Sequence, residues 1–258
     1  MTIFEISALI IGGALVGFIN TLAGGGSIIS LSILMYVMGL PANVANGTNR
    51  IAITLQTFTA SFNFKKQEVL DWKKGLKLGV PSVIGSIVGA WIAVDIDEKV
   101  FERAMAIIMI LMLGFIFYKP QIWLKGREEL MNKSVSPFMI FIFFLIGIYG
   151  GFIHVGIGYL LLMGIVLGAG YDLVKANAIK VFIVFLYVPF SLAVFMYNDQ
   201  VNYTYGFVLA IGNVIGAIIA SKLAIENGAK FIRWVIVAVV ALTAANVFGI
   251  IDIKELMH

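Results

Sequence analysis

Ten apolar segments organise this chain, and no other feature constrains its fold as strongly. They cover residues 4–23, 27–39, 44–64, 75–94, 100–118, 137–155, 157–169, 176–197, 203–221 and 231–250. A helix needs about 20 apolar residues to cross a bilayer. The bilayer offers the backbone no water, so only helices and closed barrels span it. These runs are continuous rather than alternating, which argues against a barrel. The expected fold is an all-α polytopic membrane protein. Charged residues make up 12% of the 258 residues, against about 25% in soluble domains. Segments 27–39 and 157–169 are short, and read as steep short spans or as returning arms of re-entrant hairpins. The expectation is therefore about 8–10 transmembrane or re-entrant helical segments.

Loop charges set an orientation. Lys65, Lys66, Lys73, Lys74 and Lys77 follow segment three. Lys119, Lys125, Arg127 and Lys133 lie in the central loop, Lys175 precedes segment eight, and Lys222, Lys230 and Arg233 follow segment nine. The loop with Asp95, Asp97 and Glu98 is acidic, and the one around Asp199 has no Lys or Arg. Basic loops stay in the cytoplasm, which places both termini outside it. That pattern also explains the net charge of +4 without nucleic acid. The opening "MTIFEISALIIGG" lacks a basic n-region and a small-residue cleavage site, so it reads as a retained first helix.

The two halves resemble each other. "GFINTLAGGGS" (17–27) matches "GFIHVGIGY" (151–159), which sets His154 against Asn20. "GLPANVANGTNR" (39–50) matches "GYDLVKANAIKV" (170–181), and "VPSVIGSIVGA" (80–90) matches "IGNVIGAIIAS" (211–221). Arg103 then falls opposite Arg233. Five segments per half is an odd number, so the halves sit upside down relative to each other. The expected organisation is an N-terminal repeat (1–120), a cytoplasmic linker (121–136) and an inverted C-terminal repeat (137–258). Inverted repeats with interrupted helices recur in secondary transporters, with the site near the midplane.

The candidate site is built from the breaks. Gly24, Gly25 and Gly26 let a ligand approach the backbone closely, and Ser27 can cap segment two. The first amides of that helix would then face an anion. Gly156 and Gly158 form the counterpart in the other half. Glycines also permit close helix packing, which is the plain alternative. Asn20 and Thr21 flank the first break. Asn46, Thr48, Asn49 and Arg50 open segment three with amide, hydroxyl and guanidinium donors, and Asn177 and Lys180 are their partners in segment eight. Arg50 and Lys180 either attract an anion from opposite faces or snorkel to the headgroups. His154 could bind substrate or carry a proton, or it could make an interhelical hydrogen bond. Gln56, Tyr187, Asn213 and Asn246 are further polar positions in apolar segments.

Other chemistry is sparse. There are no cysteines and two histidines, which removes thiol catalysis and a multi-histidine metal site. No Ser-His-Asp arrangement, HExxH or paired intramembrane Asp appears. No enzyme, metal or cofactor is expected. No carboxylate clearly lies in the middle of a segment, so a carboxylate proton relay or sodium cage is not visible. A channel or transporter for a cation or neutral solute would want carboxylates or carbonyl rings. A scaffold would not need a polar interior.

At "LAGGGSIISLSILM", "GLPANVANGTNR" and their weaker echo in the second half, the chain resembles the sulfite exporter TauE/SafE family over nearly its whole length. The resemblance implies a multi-pass transporter of the inner cell membrane for sulfite, sulfonates or related small organic anions. It implies that Gly24 to Ser27 and the polar start of segment three line the path. The expected partners are a small anionic substrate and the lipid bilayer, with a homo-oligomer left open.

Overall fold

The computed structural model describes residues 1–96, 100, 128–131 and 134–247; for 128 and 240–247 only the backbone course is given. Residues 101–118 of segment 100–118, Arg103 among them, the central-loop basic residues and the side chain of Asn246 therefore lie outside the described residues. Every described element is helical. Helix α1 covers Ile3–Leu22, α2 covers Ser27–Ser32 and runs into a π turn at Ile33–Val37, α3 covers Ala42–Lys66, and α4 covers Trp72–Asp95. A short α5 (Glu128–Met131) precedes α6 (Pro137–Phe152), α7 (Ile157–Met163, continued by a π turn at Gly164–Gly168), α8 (Leu173–Tyr197) and α9 (Tyr203–Val247).

Local chemistry starts these helices. Thr2 and Glu5 form a reciprocal capping box on α1, each satisfying an otherwise unpaired amide of the other. Asp71, Ser136 and Asp172 cap α4, α6 and α8 through their side chains. Ser27 does not cap α2. Gly26 holds the cap position without a side-chain bond, and the Ser27 hydroxyl instead accepts from Asn20 Nδ2 at 3.2 Å. The connection expected after segment nine contracts to one residue: helix runs on both sides of Gly228, whose φ of 70° and ψ of −167° break the 203–247 run, so Lys222, Lys230 and Arg233 lie within helix on either side of that break.

Four described helices are long and apolar enough to cross a membrane: α1, α4, α8 and α9 through Val239. Helix α3 has 25 residues but is too polar to join them. It buries Asn46, Thr48, Asn49, Arg50, Gln56, Thr57 and Ser61. Such a helix is tolerated at membrane depth only if other protein surrounds it, and α3 packs against both α8 and α9.

The same packing occurs twice. Helix α1 lies on α9, and α6 lies on α4. In both pairs the backbones are in contact through small residues. A Cβ on Gly212 or Gly216 would overlap α1 backbone, and one on Gly85 or Gly89 would overlap α6 backbone. The turns after α3 and α8 also match. The αL residue is Glu68 (φ 59°) in one and Asp199 (φ 55°) in the other. Val69 N donates to Phe64 O, and Gln200 N donates to Phe195 O.

Two apolar clusters flank the polar residues. One gathers α7 (Ile157, Leu161, Ile165) with Ile53, Ala60 and Phe64 of α3. The other gathers α2 (Leu31, Ile33, Leu34) with Ala42, Ala45 and Ala52 of α3. Helix α3 passes from one cluster to the other between Ala52 and Ile53, where its polar side chains concentrate.

Candidate functional site

The site forms where two helices stop inside the protein. Helix α1 ends with Ala23 N and Gly24 N both donating to Ile19 O, at 2.7 and 3.0 Å. Gly24 then adopts φ 88°, a left-handed turn that ends a helix most cheaply at glycine. Helix α6 ends with Ile153 N donating to Tyr149 O at 2.8 Å, and Gly156 turns at φ 68°. The two breaks touch: a Cβ on Gly24 would overlap the Cα of Gly158, and one on Gly158 would overlap the Cα of Gly24. Gly24 serves backbone contact as well as turning, whereas the helical Gly158 serves backbone contact alone.

Each helix end presents carbonyls without intrahelical partners, and these carry partial negative charge. A cation from the other half of the chain meets each end. Lys180 Nζ donates to Asn20 O at 3.1 Å and to Thr21 O at 2.9 Å. Arg50 donates from Nη1 to Gly150 O at 3.1 Å and from Nη2 to Gly151 O at 2.6 Å. Arg50 also donates to Ser191 Oγ at 2.7 Å and Asn46 Oδ1 at 3.5 Å, and sits 4.7 Å from the Phe195 ring centroid. Asn46 Nδ2 completes that end by donating to Phe152 O at 3.0 Å. Arg50 and Lys180 are 0% and 1% exposed, so neither reaches the headgroups as a snorkelling side chain would. A buried cation needs such partners to offset its desolvation.

Beside the breaks lies a cavity of about 10 Å³, the scale of one water molecule. Asn20, Gly24, Gln56, Thr57, His154, Gly158 and Lys180 contribute its polar and glycine wall, and Ile157, Val181 and Val184 the apolar part. His154 Nδ1 lies 3.0 Å from the Tyr187 hydroxyl. Asn213 Nδ2 donates to Gln56 Oε1 at 3.1 Å, and Gln56 Nε2 donates to Thr21 Oγ1 at 3.4 Å.

Of the fifteen candidates, five line this cavity: Asn20, Gly24, His154, Gly158 and Lys180. Thr21 joins through its carbonyl and hydroxyl. Gly25 packs under Tyr159, Gly26 under the Asn20 side chain, and Ser27 holds Asn20. Thr48 accepts from Asn202 N at 2.9 Å. Asn46 and Arg50 belong to the end of α6, and Gly156 to its turn. Asn49 and Asn177 are fully buried, and neither amide has a partner among the described residues. The pairing of His154 with Asn20 does not hold at the level of elements. Asn20 sits in the last turn of α1, whereas His154 lies beyond the end of α6. Gln56 and Tyr187 appear in the sequence only as further polar positions, and Thr57 and Ser191 are not among the sequence candidates. Their spacing carries a signal: Gln56 and Thr57 follow Asn49 and Arg50 by seven residues, two helical turns.

Similarity decides the family. The model of the family described as sulfite exporter TauE/SafE matches residues 9–247. This chain belongs to the TauE/SafE family. Among curated relatives, a "Probable membrane transporter protein ORF9" of Sinorhizobium is 27% identical, covering 90% of this chain and 87% of the relative. A "Probable membrane transporter protein" of Haemophilus influenzae is 26% identical, covering 92% of each. "Probable membrane transporter protein YfcA" of Escherichia coli K12 is 26% identical, covering 100% of this chain and 96% of the relative. No solved structure matches this TauE/SafE member. Its apolar helices and its family make it a membrane-embedded protein of a transporter family, in line with the expectation of a non-enzyme.

Proposed function

We propose that this protein exports small sulfur-containing or organic anions, such as sulfite or sulfonates, across the inner membrane by alternating access. The carrying observation is Lys180: a buried amine in the cavity wall whose bonded partners are two neutral carbonyls. No carboxylate pairs with it among the described residues. Protonated, it has three donors, and the third serves an anion in the cavity. Arg50 spends its four Nη–H groups on protein acceptors and clamps the end of α6, while its Nε–H has no partner among the described residues.

The halves act as inverted repeats of five segments, 1–120 and 137–258, joined by a cytoplasmic linker, with both termini extracytoplasmic. The paired packing of α1 on α9 and α6 on α4, the matched αL turns and the reciprocal cation caps support that reading. The closed cavity is then the occluded state, and rocking of the halves about the Gly24–Gly158 contact opens it to either side. With the cell interior negative, outward movement of an anion is favoured by about 2.3 kcal/mol per charge per 100 mV, so export needs no coupled cation.

Flux in proteoliposomes tests this. Sulfite or ethanesulfonate should cross faster than in protein-free vesicles, and Lys180→Met should abolish the difference. Faster cation than anion flux would favour a cation pathway instead.

A further inference from the structure

Asn49 and Asn177 are both 0% exposed, and both polar atoms of each side chain lack partners among the described residues. A buried amide left with four unmet hydrogen-bonding positions is rare and costly. One such residue could be a packing accident, but these two stand on the two central helices, each seven residues before a residue that lines the cavity.

Contacts fix the register of α3 against α8. Gly47 lies against Phe195, and Arg50 bonds Ser191, so the helices run in opposite directions. Continuing that register sets Gln56 and Thr57 level with Val184, and all three line the cavity. Asn49 is seven residues before Gln56 on α3, and Asn177 is seven before Val184 on α8. Seven residues are two turns, so each amide shares the helix face that looks into the cavity. Each is about 10 Å along the axis from cavity level. Because the helices are antiparallel, the two amides stand on opposite sides of it. Asn49 is beside the cluster built on α2, and Asn177 beside the cluster built on α7.

We infer that Asn49 and Asn177 are waypoints of the permeation path, one on each side of the cavity. Each amide replaces a hydration water on the passing anion: its N–H₂ donates to the anion's oxygens, and its carbonyl accepts from water that follows. This rests on the transport reading above and adds the route to it. In the occluded structure both waypoints are closed off, which leaves their amides unpaired. Each finds its partner when the corresponding side opens.

The test uses the full chain with Asn49→Leu and Asn177→Leu, which keep the number of side-chain heavy atoms and their branching and remove the polar atoms. A purely structural unpaired amide is replaced by Leu without loss of stability or function. A waypoint is not. Sulfite and ethanesulfonate flux in proteoliposomes should fall at least tenfold in each variant. Calorimetric affinity for the same anions in detergent should stay within twofold of wild type, and the unfolding midpoint should hold or rise. Asn49→Thr and Asn177→Thr keep a hydrogen-bonding group and should recover a third or more of the flux; they also serve where a Leu variant does not fold. Wild-type flux in both Leu variants overturns the inference while leaving transport intact. So do folded Thr variants no faster than their Leu counterparts. Absence of anion flux in the wild type overturns the transport reading itself, and this inference with it.

Discussion

The direct contact of the two helix breaks makes a graded prediction for three glycines. Gly39→Ala adds a left-handed alanine (φ 68°) with nothing within 4 Å of its Cβ, so it isolates backbone strain, about 1–2 kcal/mol. Gly158→Ala keeps an ordinary helical backbone but drives a Cβ into the Gly24 Cα, so it isolates overpacking, about 1–3 kcal/mol. Gly24→Ala suffers both, since its φ is 88° and its Cβ meets the backbone of Gly158; the sum is about 2–5 kcal/mol. The obstructing atoms are backbone on both sides, so no rotamer change relieves them. Thermal unfolding of the purified protein in one detergent reads the series. With about 2–4 °C per kcal/mol for a chain of this size, Gly24→Ala should unfold lowest and Gly39→Ala highest of the three. Gly25→Ala is an internal control, because its Cβ would meet the Tyr159 hydroxyl at 2.5 Å, the far end of a side chain that can move. If Gly24→Ala costs no more than Gly39→Ala, the breaks do not touch and the closed arrangement of the site is wrong.

Arg50→Met and Lys180→Met should both destabilise, to different extents. Arg50→Met orphans Gly150 O and Gly151 O and should destabilise by about 1–3 kcal/mol for each buried group left unpaired, more than Lys180→Met in total if the four bonds of Arg50 outweigh the two of Lys180; equal midpoints would contradict the clamp role. Asp71 links two turns, accepting from Tyr171 at 2.5 Å and from Lys74 N at 3.0 Å. Burial opposes its ionisation, but the Lys74 amide, the Tyr171 hydroxyl, the Lys74 ammonium and the Lys73 amide hold its carboxyl below the ordinary 3.8. A depressed carboxyl stabilises the fold above its unfolded value and loses that contribution as pH falls through the folded one. The midpoint gap between wild type and Tyr171→Phe should therefore be constant near neutrality and shrink below about pH 4; a gap that widens on acidification refutes this. Gly228→Ala should lower the midpoint as well, because φ 70° with ψ −167° is a conformation open almost only to glycine, at about 1–3 kcal/mol for other residues. An unchanged midpoint would mean that α9 is not broken there.

Much of the helical plan was legible from apolar run lengths, because membrane depth forces runs and helices to coincide. The ends of α1 and α6 were legible for a different reason: glycine is the residue that can turn left-handed there. Partners were not legible. Arg50 meets carbonyls 100 and 101 residues away, and Lys180 meets ones 160 and 159 away, and no local pattern encodes such distances. Nor does sequence alignment see where a helix stops. "GFIN" and "GFIH" look equivalent, yet Asn20 lies inside α1 and His154 past the end of α6. Ser27 carried the right chemistry for a cap, but Asn20 reaches its hydroxyl. Gly228 sits in a polar stretch that reads as a loop, while the backbone passes through it from helix to helix.

Binding of an anion to Lys180 is the most direct measure of the proposed site. Calorimetric titration of sulfite and ethanesulfonate into purified wild type, Lys180→Met and Lys222→Met would decide it, Lys222 being an exposed lysine, 70% accessible in its side chain. Saturable binding to wild type and Lys222→Met, with none to folded Lys180→Met, is the expected result. Equal affinity in all three proteins would contradict an anion site at the helix breaks.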